Sequence, residues 1–493
     1  MNEKKENIRL LASFLIAGLL MAGILWFLGR FVGSGKTDNK LPSSSSINSF
    51  SNDNMSLGEE IFITKNNSPE KEEGSKAFAK GDFATAVSKF TAALKNNPND
   101  PETLIYLNNA NAELNKSNTK PLKVAVLLSL TSVDQAEETL RGVAQAQDEV
   151  NSSREKINGA WLQLQITAIP NIRDTQTVSQ INLNLVNDRN ILAVIGFTLN
   201  PSVYNDRGLV MVSPINPNAR QSSQMQKYIF YATPNADVFS DKLAEYIVKR
   251  TGIRNVAICR DSSFQARQDR PRESPVSIET IIDLHKESIQ SSKYGGKVTS
   301  TNCDVSDNSS VSDILRRAKT DGAEALLLFP SPLTINNANS KFFDLLRENK
   351  KQGELPLFGF QIMYNSRILK YGKENVKKMV LAVPWHRDAN PDIPFATEAS
   401  ELWGGEVSPR TAVVYDALQA VIAGLKENST REGLQKTLSN PDFVAFGAAG
   451  RIKFSPEGIR DRVGGVFLVR VEPCTSGRGC DPNTQLRFDL VKD

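Results

Sequence analysis

Apolar and polar residues follow one another along the chain in four successive patterns. From Leu10 to Gly29 twenty residues run without a charge, LLASFLIAGLLMAGILWFLG. As an α-helix this run spans about 30 Å, the thickness of a bilayer's hydrocarbon core, with its backbone groups bonded internally. It predicts a transmembrane helix. Lys4, Lys5 and Arg9 precede it and Arg30, Lys36 and Lys40 follow, a slight bias that puts the N-terminus inside and the remainder outside. A cleaved signal peptide would show an apolar core of only about 7–15 residues followed by a small-residue site, so an uncleaved anchor is expected. Over 34–72 the composition turns to Ser, Asn, Lys and Glu with almost no apolar periodicity, which reads as a flexible linker. From Gly74 onward, Ala77, Phe78, Phe83, Ala86, Phe90 and Ala93 recur at helical spacing, with Gly81 and Asp82 as a turn and Pro98 to Pro101 as a break. Between 122 and 385 apolar runs such as 123–130, 161–168, 191–197, 255–260, 325–330 and 379–385 alternate with amphipathic stretches such as 136–150, 238–250 and 340–349. That alternation predicts parallel sheets covered on both faces, and the strands are too many for one comfortable sheet. A further strand is expected over 297–305, a long helix over 411–426, and then a hairpin around GRIKFSPEG and GGVFLVRVE.

Composition narrows the function classes. The net charge is +4, spread without a basic block or arginine-aromatic interleaving, so nucleic acid is not an expected partner. The four cysteines, Cys259, Cys303, Cys474 and Cys480, are an even number in a chain placed outside the cytoplasm, where disulfides persist. Zinc does not suit them, because the spacings are wrong and the two histidines, His285 and His386, lie far away in sequence. Cys259 is expected to pair with Cys303, each at the end of a predicted strand, and Cys474 with Cys480 around TSGRG. Catalysis requires a positioned nucleophile and base or a metal, and none of GxSxG, HExxH or GxxxxGK[ST] occurs. His285, in IIDLHKESI, reads as a surface or half-buried helix residue, and His386, in PWHRD, falls near an expected hinge. No cofactor and no enzyme activity are expected.

Two family likenesses emerge from these residues. Gly74, Phe78, Gly81, Phe83, Ala86, Phe90, Ala93 and Pro98 resemble one unit of the tetratricopeptide repeat, with Pro101 to Leu114 similar to the first helix of a second. So few repeats cannot bury their own faces and should lean on a neighbour. The order KVAVLLSL, LRGVAQAQDEVN, ILAVIGF and LVMVSP, and later VVYDALQAVIAGL and GRIKFSPEGIRDR, resembles extracellular solute-binding proteins of the branched-chain amino-acid (periplasmic binding protein type I) family over about 121–472. The resemblance implies an α/β fold of two doubly wound parallel-sheet lobes joined by hinge strands. Here these lobes would be preceded by the transmembrane helix and a short helical-repeat segment. The expected division is 1–33 anchor, 34–72 linker, 73–118 repeat-like helices, 121–473 bilobal domain and 474–493 a tail with a disulfide loop.

In such proteins the ligand sits between the lobes, where strand ends meet helix N-termini. The resemblance implies ligand contacts from Ser129, Thr131, Thr198, Asn200, Ser213 and Asn216 in the first lobe. From the second lobe it implies Asp261, Ser262, Phe264, Ser331, Gln361 and Trp385. Two departures bear on the ligand. The serine-rich helix start that grips a carboxylate is replaced by the shorter GFTLNPSVYNDRG, and the neutral Gln361 stands where an acidic residue would meet an amino group. A small polar, uncharged solute is therefore expected in place of a zwitterionic amino acid, since an unmatched buried charge is penalised by several kcal/mol. The function implied is a membrane-anchored extracytoplasmic solute-binding protein working with a membrane protein of transport or signalling type. The alternative is a non-enzymatic interaction or scaffold module with a degenerate cleft.

Overall fold

In the computed structural model, residues 54–492 are described except 66, 117–118, 173, 199, 217–225, 263–277, 307–308 and 462–464. The expected anchor Leu10–Gly29 lies outside them. Among the described residues no helix is long and apolar enough to cross a membrane.

The described chain starts with a two-residue strand, β1 (Met55–Ser56), and three helices, α1 (Pro69–Ala79), α2 (Phe83–Asn96) and α3 (Pro101–Leu114). Each helix begins where the sequence can cap it. The side chains of Ser68, Asp82 and Asp100 accept from the amides of Lys71, Thr85 and Thr103, and Pro69 and Pro101 sit in first turns where no amide donor is needed. Gly74 lets α1 and α2 touch, because a Cβ there would lie 2.7 Å from the Phe90 ring. Phe78, Phe90, Ile105, Tyr106 and Ala110 join one apolar cluster with Val124, Leu164 and Ile166 of the sheet behind them. The repeat-like helices are thus a layer of the first lobe, not a separate domain.

Nor is the second half of the expected linker free of the fold. Lys71 is buried with its Nζ 2.8 Å from both Asp100 and Glu102. Glu102 in turn accepts from the amides of Phe62 (2.8 Å) and Ile63 (3.1 Å), so the ionic cluster pins the 54–63 segment onto α3.

The first sheet is built from β2 (Leu122–Ser129), β3 (Leu162–Ile169), β4 (Ile191–Ile195), β5 (Val210–Ser213) and β6 (Ile229–Tyr231), in the order β1-β3-β2-β4-β5-β6. Its crossovers are α4 (Val133–Ser152), α5 (Thr175–Asn187) and α6 (Ser202–Arg207). All neighbours are parallel except β1, which runs antiparallel to β3.

The second lobe follows, with α7 (Ala236–Glu245), β7 (Asn255–Arg260), α8 (Ile278–Gln290), β8 (Lys297–Val298), β9 (Cys303–Asp304), α9 (Val311–Thr320), β10 (Ala325–Phe329), α10 (Pro332–Ile335), α11 (Lys341–Lys351), β11 (Leu357–Phe360), α12 (Ser366–Gly372) and β12 (Val380–Val383). The chain then returns to the first lobe as α13 (Phe395–Trp403), α14 (Pro409–Glu427), α15 (Arg431–Leu438) and the hairpin β13 (Ala445–Gly447) and β14 (Gly450–Ile452), whose apolar residues share the first lobe's core. It ends in the second sheet with β15 (Phe467–Pro473) and β16 (Leu486–Leu490), giving the order β16-β15-β12-β11-β10-β7-β8 with β9 beside β7.

Three expectations change. Both sheets are mixed, since β15 and β16 join the second one antiparallel. The strand expected over 297–305 is broken into β8 and β9. GRIKFSPEG and GGVFLVRVE do not pair with each other, because β14 pairs with β13 in one lobe and β15 with β12 and β16 in the other.

Cys259 is bonded to Cys303 across the paired β7 and β9, with Cα atoms 4.5 Å apart. Cys474 is bonded to Cys480 in the loop between β15 and β16. Where the chain passes between lobes, buried Asp416 on α14 holds Arg460 at 2.6 Å, and Arg460 also donates to Ala232 O (3.1 Å) and Arg451 O (2.8 Å). One ion pair therefore ties two of the crossings to the return helix.

Candidate functional site

A cavity of about 920 Å³ opens between the lobes. Its first-lobe wall is made by the starts of α4 and α14. These helices can lie side by side because α4 carries Gly142, where a Cβ would sit 2.4 Å from Thr411 O, and the Thr411 hydroxyl donates to Glu138 O at 3.1 Å. Their first turns deliver Asp134, Glu137, Glu138 and Arg141 from one helix and Ser408, Arg410 and Val413 from the other.

Glu138 and Arg410 approach to 3.7 Å with about a third of each side chain exposed (32% and 33%). Burial pushes the Glu138 carboxyl up and the Arg410 guanidinium down, each in the direction of its neutral form. Near the crossings Arg387 donates to Phe488 O (3.1 Å), while burial raises the carboxyl of Glu406. Gly479 of the disulfide loop packs on Arg387, where a Cβ would lie 2.5 Å from Nη1.

The second-lobe wall is different in kind. Phe239, Ile281, Ile335, Phe360, Tyr364 and Phe488 line it, with the Tyr364 ring stacked on Phe488 at 4.5 Å. His285 belongs to this wall and is only 2% exposed. Burial pushes it down to about 4 from an ordinary 6.5, so it is neutral at physiological pH. The helical pattern around IIDLHKESI gave no sign of this, because the covering groups come from α7 and β10. Ser240 lies 2.9 Å from its Nδ1, and the Phe329 ring stands edge-on at 5.1 Å. The Ser240 hydroxyl is spent on Ala236 O at 3.0 Å, so this Ser-His contact is not an activated nucleophile.

At the mouth, Asp134 of the first lobe meets Arg367 of the second at 2.7 Å, with Lys65 at 3.5 Å on the other carboxylate oxygen. The Arg367 hydrogen bond holds the Asp134 carboxyl below its ordinary range.

Of the residues expected to touch ligand, Asn216 and Gln361 lie on the cavity wall. Others are engaged with the fold's own groups and off that wall. The Ser129 and Thr131 hydroxyls bond each other at 3.1 Å. Thr198 accepts from Asn182 (3.0 Å), Asn200 from Ser202 (2.7 Å), and Ser213 donates to Ile215 O (2.6 Å). Ser331 caps α10 and donates to Asp261 at 2.7 Å, and Ser262 pairs with Ser306. Trp385 is buried edge-on against Phe395. Phe264 lies outside the described residues. His386 donates from Nε2 to Phe488 O (3.0 Å) and accepts at Nδ1 from the Asp388 amide (3.2 Å), the pattern of a neutral ring, and burial pushes its pKa down. Glu138, Arg410, Glu406 and His285 were not anticipated; Arg410 follows the Ser408 cap of α14, whereas α4, which carries Glu138, starts without a side-chain cap. The cleft, expected to hold an uncharged solute, carries charges of both signs on its first-lobe wall and the cations Arg367 and Lys370 on the second.

No family model matches the chain, and no curated protein matches it. Solved structures do. An ABC transporter substrate-binding protein from Desulfitobacterium hafniense, in complex with Leu, is 16% identical with a TM-score of 0.57, covering 76% of this chain and 100% of its own. The branched-chain amino acid transporter substrate-binding protein of Streptococcus pneumoniae, with isoleucine, is 16% identical with a TM-score of 0.55, covering 76% and 100%. A solute-binding protein of an ABC transporter from R. palustris, with benzoate, is 13% identical with a TM-score of 0.55, covering 76% and 98%. The fold is thus that of the substrate-binding proteins of ABC transporters, periplasmic binding type I.

Proposed function

We propose that this chain is a membrane-anchored extracytoplasmic solute-binding protein that closes its two lobes on a small molecule and presents the closed form to a transporter or signalling partner in the membrane. The observation that carries the reading is the interlobe cavity itself. Its walls come from different lobes, and apart from the crossings they meet at its mouth through the surface pair Asp134–Arg367. Closure around a ligand and release of that pair are then alternative states of one hinge. The uncharged run Leu10–Gly29, with Lys4, Lys5 and Arg9 before it, supplies the anchor, N-terminus inside. The reading is of binding without chemistry: among the described residues His285 meets Ser240, whose hydroxyl is spent on Ala236 O, and His386 meets Phe488 O and the Asp388 amide.

The charged first-lobe wall widens the ligand class beyond neutral solutes, because Arg410 and Glu138 offer one partner for an anion and one for a cation. A thermal-shift screen of the full chain in detergent, with amino acids, aromatic acids and neutral polar solutes, tests the reading. A ligand at 100 times its Kd adds about 2.7 kcal/mol to the folded state. A second reading, an interaction module with a degenerate cleft, is favoured by the internal hydrogen bonds that occupy Ser129, Thr198, Ser213 and Ser331. It is the conclusion if no solute shifts the melt. Protease added to intact spheroplasts should remove the lobes, and a protected C-terminus would refute the topology.

A further inference from the structure

His285 carries an unused hydrogen-bonding position. Its Nδ1 lies 2.8 Å from Ile281 O, which only accepts, and 2.9 Å from the Ser240 hydroxyl, whose single proton goes to Ala236 O. Both neighbours of Nδ1 are therefore acceptors, which puts the ring proton on Nδ1 and leaves Nε2 as a bare lone pair. Nε2 is buried and has no partner among the described residues. A buried acceptor without a donor is unfavourable, and here its residue forms part of the cavity wall.

The identity of the missing donor follows from the charges around the cavity. Its carboxylates, Asp134, Glu137, Glu138 and Glu406, all stand on the first-lobe side, whereas the second-lobe wall carries aromatic and aliphatic groups and the cations Arg367 and Lys370. An ammonium placed against His285 would be stripped of water beside apolar rings with no opposite charge on its wall. A hydroxyl or an amide N–H has no such penalty.

We propose that the second-lobe wall recognises a solute with an apolar or aromatic body bearing a neutral hydrogen-bond donor, and that His285 Nε2 accepts that donor. The inference rests on the solute-binding reading above. It assigns His285 as a ligand contact that sets specificity between solutes differing by one hydroxyl, the kind of discrimination a site with a buried polar group achieves best.

The test is calorimetric titration of the full chain in detergent with matched pairs: benzoate and p-hydroxybenzoate, phenylalanine and tyrosine, hexanoate and its terminal hydroxy derivative. The hydroxylated member of at least one pair should bind about tenfold more tightly. His285→Phe, which keeps a ring of similar bulk but no acceptor, should bring the two within about twofold, and His285→Gln, whose amide oxygen accepts, should restore part of the preference. In the wild type, the nitrogen NMR signal of His285 Nε2 should move on adding the hydroxylated member and stay in place with the other, which decides the matter even if His285→Phe does not fold. A hydroxyl preference unchanged in His285→Phe, an unmoved Nε2 signal, or equal binding within every pair overturns the inference and leaves solute binding standing. Absence of binding by every probe overturns both.

Discussion

The first lobe keeps charge inside itself, while the second is joined by covalent links and apolar faces. In the first, Lys71 lies buried with Asp100 and Glu102, and Asp416 with Arg460. Burial alone would lower Lys71, but Glu102 and Asp100 outweigh it and raise it, whereas burial pushes the Asp416 carboxyl up in spite of Arg460. In the second lobe two apolar clusters cover the faces of the sheet, and Cys259–Cys303 staples β7 to β9. The contrast follows chain order. The first lobe gathers segments from opposite ends of the domain, namely 54–63, the return helix α14 and the crossing at Arg460. A fully desolvated ion pair tolerates little displacement, so it fixes where distant segments dock; apolar contacts alone are less discriminating. Most of the second lobe's strands follow one another directly along the chain, and two cross-links serve it, Cys259–Cys303 between β7 and β9 and Cys474–Cys480 in the loop between β15 and β16.

Four measurements test this contrast between the lobes. The largest effect is expected at the crossing. Arg460→Met strands the Asp416 carboxylate and should cost about 3–5 kcal/mol in chemical denaturation. Adding Asp416→Leu should restore part of it, and a double variant no better than the single would show that the ion pair is not what docks the return helix.

Next comes the staple. Replacing Cys259 and Cys303, 44 residues apart, with serine should remove about 3 kcal/mol, and replacing Cys474 and Cys480, only 6 apart, distinctly less. Equal losses would argue that both bridges act through local packing and not through the unfolded chain.

The third effect depends on pH. His285 titrates near 4 when folded against an ordinary 6.5, so its contribution is complete above 6.5 and lost as pH falls toward 4. Relative to His285→Gln, the wild type should lose about 2 kcal/mol at pH 5. A constant difference between pH 7 and pH 5 would mean that His285 protonates in place.

The smallest energy belongs to the mouth. Asp134 and Arg367 are half and about one-third exposed (50% and 36%), so Arg367→Ala should change stability by less than about 1 kcal/mol. It should still enlarge the ligand-free radius of gyration in small-angle scattering at low salt, an effect lost at high salt. An unchanged radius would remove this pair from the account of closure.

Much of the architecture could be read directly from apolar runs. NVAICR is β7 at the same boundaries, and ILAVIGF, LVMVSP and ALLLFP each hold a strand, because strands buried on both faces show as continuous apolar stretches. The site was far less legible. Ser129, Thr198, Ser213 and Ser331 have side chains suited to a polar ligand, but hydroxyls at strand ends equally suit the local turns that consume them. Gln361 and Asn216 do face the cavity. Glu138 and Arg410 reach it only because Gly142 and Thr411, remote in sequence, come into contact.

What the sequence determined by itself is what depends on neighbours within a few residues: the alternation of strand and helix, the caps at Ser68, Asp82, Asp100 and Ser408, and the breaks at proline and glycine. Tertiary structure alone decided that β15 joins β12 instead of pairing with β14, that the N-terminal helices become a layer of the first lobe, and that His285 is a neutral acceptor. Periodicity and capping act over a single turn or pleat. Desolvation and hydrogen-bond satisfaction are sums over whatever surrounds a group in space: for His285 its own helix supplies Ile281 O, but the groups that bury the ring, Ser240 and Phe329, come from α7 and β10.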